Sequence, residues 1–139
     1  MTRRMIGLAV CSLVVLMAGC GPAGPKVPPS VDVGGSVQID GQPLPLGEIS
    51  LMVEGQSPIL IPIKDGKFSG KGMVGENRVQ IWAHRLGKPI MMGDKPFGDP
   101  VKENYADEEF NVKTTMKTTV AAGGSKDMKF EIKSKPEAK

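Results

Sequence analysis

Ile59-Leu60-Ile61-Pro62-Ile63-Lys64-Asp65-Gly66-Lys67-Phe68 is the stretch that decides the fold. Three isoleucines at every second position place one face of an extended strand against a core, because successive strand side chains point to opposite faces. Pro62 falls on the other face and, lacking an N–H, puts this strand at a sheet edge or a bulge. Asp65-Gly66 tolerates the positive backbone angles of a tight turn, so the chain folds back at once onto Phe68.

The same alternation recurs on both sides of this hairpin. Val33, Val37 and Ile39 precede the turn signal Asp40-Gly41, and Ile49, Leu51 and Val53 follow it. Val79, Ile81 and Ala83 come after Gly75-Glu76-Asn77. Met116, Thr118 and Val120, then Met128, Phe130 and Ile132, flank Gly123-Gly124 and predict a closing hairpin. From Arg85 to Asn104 glycines and prolines break any periodicity, which predicts a long loop, and long ordered loops often carry function. About seven short strands without a helical segment predict an all-β chain, a β-sandwich.

The amino-terminal segment reads differently. Arg3 and Arg4 lead an uncharged run from Met5 to Ala18 that ends Met17-Ala18-Gly19-Cys20, the order of a secretory signal with a small-residue cleavage site. Fourteen residues fall short of the roughly twenty that cross a bilayer. The stretch resembles a bacterial lipoprotein signal, with Met17 where leucine is usual. That resemblance implies cleavage before Cys20, its lipidation, and attachment to the membrane through acyl chains. Gly21 lacks the aspartate associated in some bacteria with inner-membrane retention, which favours the outer membrane within the cell envelope. Gly21 to Ser30 is a Gly/Pro spacer that disfavours strand pairing and favours extended conformations. The expected organisation is a signal peptide over residues 1–19, lipidated Cys20 and tether over 20–30, a β domain over 31–133, and a polar tail over 134–139.

Composition narrows the function classes. The chain has 139 residues and a formal charge of +3; without Arg3 and Arg4, the 18 Lys+Arg become 16 against 15 acids. Charges of both signs are interspersed, without the basic stripe and stacking aromatics of a nucleic-acid binder. Both cysteines, Cys11 and Cys20, belong to the signal, so the β domain has no thiol for an internal disulfide and rests on its core.

Val33-Gly34-Gly35-Ser36-Val37-Gln38-Ile39-Asp40-Gly41-Gln42-Pro43-Leu44 resembles the opening of carboxypeptidase regulatory-like domains. Asp65-Gly66-Lys67-Phe68 is similar to that family's second turn, and Gly75-Glu76-Asn77-Arg78-Val79-Gln80-Ile81 to its Gly-Glu-Tyr signature, with Asn77 in place of the tyrosine. Tyr105 and the run from Thr119 to Ile132 resemble the end of small bacterial lipoproteins built on this domain. The resemblance implies a seven-stranded Greek-key sandwich of the transthyretin (prealbumin) type, usually an accessory or adhesion module without catalysis. The related hydroxyisourate hydrolases share the architecture, but their catalytic histidines, arginine and terminal Tyr-Arg-Gly-Ser have no counterpart here.

The residues themselves build no catalytic set. His84 is the single histidine and has no partners at the spacing of a triad or a zinc site, which wants three or four ligands. Asp94, Asp99, Glu103, Asp107, Glu108 and Glu109 lack EF-hand spacing and alternate with Lys88, Lys95 and Lys102, so neither a metal nor a cofactor is expected. Trp82 stands out, because alternation aims it away from the core, and with Met91, Met92, Phe97 and Tyr105 it would form a contact surface. The reading that covers Trp82 with the following loop stands beside it. The expected function is a non-catalytic, lipid-anchored envelope scaffold with a protein partner; the alternative is a small-ligand or polysaccharide binder.

Overall fold

A computed structural model describes residues 21, 24 and 26–136. Cys20, with the expected signal peptide and its lipidation, lies outside the described residues, as does the end of the expected tail. The described chain is all-β, with eleven strands in chain order: β1 (Ser30–Ile39), β2 (Gln42–Pro43), β3 (Leu46–Met52), β4 (Ile59–Lys64), β5 (Lys67–Met73), β6 (Gly75–Leu86), β7 (Met91–Met92), β8 (Lys95–Pro96), β9 (Lys102–Asn104), β10 (Lys117–Val120) and β11 (Ser125–Ile132). One 3-10 turn, Glu108–Phe110, begins at Asp107, whose carboxylate accepts the Glu109 N–H. No helix among the described residues is long and apolar enough to cross a membrane.

The main sheet has the order β10-β6-β3-β4-β5-β1-β11, with β2 added to β1 and β9 to β6. It cannot be flat. Six strand spacings of about 4.8 Å would separate β10 from β11 by about 29 Å, whereas the four residues joining Val120 to Ser125 reach at most about 18 Å. The sheet therefore curls until its two end strands approach each other, and the enclosed face is the core.

The hairpin Ile59–Phe68 forms as its sequence dictates. Asp65 and Gly66 both have positive φ, 52° and 75°, and Lys64 faces Lys67 across the turn. Beyond Ile63 and Phe68 the pair separates: β5 turns to β1, so Pro62 pairs with Glu48 on one side and faces no strand on the other. A residue without an N–H is tolerated there because no ladder bond is demanded of it. Ile61 and Ile63 are buried while Ile59 is half-buried.

Val33, Val37, Ile39, Ile49, Leu51, Phe68, Val79, Ile81, Val120, Met128 and Ile132 are buried, joined by Leu44 and Ala106, which alternation did not single out. Phe130 is partly buried, its ring centroid 6.1 Å from that of Phe68. Asn77 is fully buried and donates to the carbonyls of Met73 and Gly75, so a short amide ties the β5–β6 corner.

One expectation is corrected. Gly123-Gly124 does not close a hairpin: β10 pairs antiparallel with β6, and β11 pairs parallel with β1 at the other end of the sheet. The connection crosses the gap of the curled sheet instead of folding one strand on the other. The residues that follow β11 are hydrogen-bonded to the domain. Ser134 bridges Ala106 and donates to the Asp40 carboxylate, and the Lys135 N–H donates to the Tyr105 carbonyl.

Surface charges are paired locally. Lys71 lies 2.8 Å from Asp32, and its hydrogen bond and charge hold the Asp32 carboxyl below the usual carboxylate range. A folded value below the unfolded one stabilises above the unfolded range and is lost as pH falls through the folded value. Both side chains are more than 60% exposed (62% and 61%), so screening keeps the effect small. We expect Asp32→Asn to shift the melting temperature by less than about 2 °C at pH 7. The variant should also lose slightly less stability than the parent below about pH 4. Thermal melts at pH 2 to 7 check this, and a large drop at neutral pH would show that the pair is structural.

Candidate functional site

Strand β6 outlasts its sheet. Its pairing with β3 ends at Gly47↔Ala83, but the strand continues to Leu86 and takes β9 as partner through His84↔Asn104, Arg85↔Glu103 and Leu86↔Lys102. The ribbon extends beyond it. The Gly87 N–H donates to the Val101 carbonyl at 2.8 Å and the Phe97 N–H to the Ile90 carbonyl at 2.7 Å, and β7 and β8 pair through Met91↔Pro96 and Met92↔Lys95. The expected irregular loop is thus a two-stranded arm. One residue of register slips between its base and its tip, where Pro89 and Pro100 interrupt the ladder. Gly93, with φ 67°, turns the tip.

The arm carries most of the exposed large apolar side chains among the described residues. Leu86 is 63% exposed, Ile90 54%, Met91 54%, Met92 69%, Phe97 60% and Val101 50%. Ile90 and Phe97 are cross-strand neighbours, and alternation puts Met92 on their face and Met91 with Pro96 on the other. Among the described residues no further strand pairs with β7 or β8.

The expected contact residues therefore separate. Met91, Met92 and Phe97 stand on the arm. Trp82 is half-buried on the outer face of β6, opposite Glu48 of β3. Tyr105 departs from the expectation of an exposed contact residue: it packs against the core at the root of the arm, with its N–H on the Ala83 carbonyl and the Arg85 guanidinium 5.9 Å from its ring centroid. Burial, reinforced by the Asp40 carboxylate and opposed by Arg85, pushes its phenol above the ordinary range. Leu86, Ile90 and Val101 belong to the apolar surface and were missed, although all three stand in the segment the sequence marked as unusual.

Among the described residues the remaining polar side chains are dispersed. His84 Nε2 is 3.8 Å from Glu48, and its Nδ1 is buried without a partner. The acids disperse: Glu103 pairs with Arg85, Glu108 with Lys113, and Asp107 caps its turn. Among the described residues no three His, Cys, Asp or Glu side chains gather as a metal site. An open groove of about 570 Å³ lies over the Gly34-Gly35-Ser36 stretch of β1, edged by Lys67, Lys126 and Lys129.

The arm and the start of β1 lie toward opposite ends of the sheet. β1 is antiparallel to β5, β5 to β4, β4 to β3 and β3 to β6, so β1 and β6 run the same way. The chain enters the sheet at Ser30, where β1 starts, and the arm leaves where β6 ends.

No protein-family model matches the chain. No curated protein matches it either. The 1.80 Å crystal structure of a DUF3823 family protein from Parabacteroides merdae ATCC 43184 is similar at 21% sequence identity and a TM-score of 0.41, over 77% of this chain and 47% of that one. This chain spans about half the length of that structure.

Proposed function

We propose that the chain is a non-catalytic, lipid-anchored module of the cell envelope that binds a protein partner through its arm. The apolar arm, raised at the end of the sheet opposite the start of β1, carries this reading. An anchor on Cys20 at one end of the domain would present Met91, Met92 and Phe97 at the other, away from the membrane that holds it. Exposed contiguous apolar surface of this kind marks interaction sites, since monomeric surfaces seldom leave it open without use. The finer fold assignment belongs to the same proposal: seven strands of four residues or more, curled so that four residues join the ends, support a seven-stranded Greek-key sandwich of the transthyretin type.

Two variants of the full chain in its host test the reading. Cys20→Ser should move the protein from the membrane fraction to the soluble fraction. A photo-reactive phenylalanine analogue at Met92 should give one reproducible adduct that the same group at Glu131, exposed on β11, does not give. Membrane retention of Cys20→Ser would remove the anchor, and absence of an adduct at Met92 would remove the arm as the contact surface.

A further inference from the structure

We infer that the open groove on the outer face of β1 is a binding site separate from the arm, one that takes a phosphate-bearing ligand between Lys67, Lys126 and Lys129.

Strand register builds the site. Lys67 of β5 and Lys129 of β11 face Ser36 of β1 from its two sides, so the three side chains form one row across three strands. Phe68 and Met128, the sequence neighbours of the two lysines, are buried, and alternation therefore turns the row to the outer face. The two lysine backbones stand two strand spacings apart, about 10 Å, which two flexible four-carbon stems close on an anion held above Ser36. In the next row Ser69 faces Gly34, which offers no side chain, so the floor stays low and carries hydroxyl donors. The register slip of β11 completes the rim. Two steps along β1 answer three along β11, and Lys126 and Asp127 take up the extra length opposite Gly34, outside the paired register.

Charge and size give the chemistry of the ligand. Three lysines against the single acid Asp127 leave the lining positive. Among the described residues none of these three lysines forms an ion pair, whereas Lys71, Lys113 and Lys117 each hold a carboxylate at 2.8 Å or less. Their charge is free for an anion. An ammonium is a point charge with three donors that turn freely, which suits a tetrahedral phosphate; a planar carboxylate is matched best by the arginine fork, and no arginine lines the groove. The volume of about 570 Å³ falls within the range of about 300 to 1,000 Å³ that small-molecule sites occupy, and Pro62 adds an apolar wall for the carbon skeleton of a phosphate ester.

Isothermal titration of the full chain, in non-ionic detergent and phosphate-free buffer of low salt, tests the site with glycerol 3-phosphate, a monoester, and glycerophosphoglycerol, a diester like a lipid headgroup. At least one should bind saturably, and the tighter of the two tells a soluble phosphate ester from a headgroup. Lys67→Gln with Lys129→Gln should weaken that binding at least about tenfold at an unchanged melting temperature, because both side chains are exposed. Lys88→Gln with Lys102→Gln removes the same charge from the arm and should change the binding by less than about twofold. Glucuronate should bind at least about tenfold more weakly than the phosphate ester. Absence of binding by either ester overturns the site and leaves Lys126 and Lys129 as charges that guard an end strand. Binding that survives Lys67→Gln with Lys129→Gln overturns the groove as its place, and equal binding of glucuronate overturns phosphate as its chemistry.

Discussion

Gly35→Ala is expected to lower the melting temperature of the full chain by more than about 15 °C, whereas Gly123→Ala changes it by less than about 2 °C. The two substitutions add the same methyl group to the same kind of strand-rich chain, so the contrast isolates position. A Cβ at Gly35 would lie 2.0 Å from the Met128 carbonyl oxygen and 2.7 Å from its carbon, backbone atoms that cannot rotate away. At Gly123 it would meet nothing within 4 Å.

Gly35 faces Met128 in the parallel pairing of β1 with β11, beside a slip in which two steps along β1 answer three along β11. The extra residue bends β11 towards β1, and glycine leaves the room for that approach. A methyl group there forces the last strand away from the first, opening the core at Met128, Phe130 and Ile132. A loss of about 3 kcal/mol or more is a large share of the stability of a domain this size. Thermal unfolding followed by circular dichroism measures it. A Gly35→Ala protein that melts like the parent would mean that β11 does not lie against β1 in this register.

Ile81→Asp should abolish cooperative unfolding altogether, while Leu60→Asp leaves it in place. Ile81 is fully buried in the middle of β6, facing Ile49 of β3. A carboxylate at that point loses its water without gaining a partner, and the penalty rivals the whole stability of an ordinary domain. Leu60 is 57% exposed on β4, on the face opposite Ile61 and Ile63, so a charge there stays hydrated. Denaturant titration of both variants checks the pair, and a steep, parent-like transition in Ile81→Asp would overturn the assignment of the core face.

The candidate surface was legible only in part. Met91, Met92 and Phe97 stood out because they are large and apolar in a stretch rich in glycine and proline. The stretch was expected to be irregular because its glycines and prolines break any strand period. It is nevertheless a ribbon, because β6 continues past Ala83 and supplies a template on which β9 pairs. Tyr105 and Trp82 show the reverse. Alternation aimed Trp82 outward correctly, but whether an outward side chain is exposed depends on what else crosses that face. The segment after the arm runs beside β6: Gln80 of β6 donates its side-chain amide to the Asn111 carbonyl, and the Val79 N–H donates to the Met116 carbonyl, which prolongs the pairing with β10.

By itself the sequence determined which residues face inward and where the chain turns. Alternation and the Asp-Gly turns are properties of a few neighbouring residues, set by backbone geometry that any strand or tight turn obeys. Ile61, Ile63, Val79 and Ile81 could therefore be placed before any strand had a partner. Only the tertiary structure decided the partners. Gly123-Gly124 allowed a hairpin between β10 and β11 as readily as the crossing that forms, and the choice went to the arrangement in which β11 covers the open side of β1 and buries Met128 and Ile132. That gain comes from residues about ninety positions apart in the chain, which no local pattern encodes.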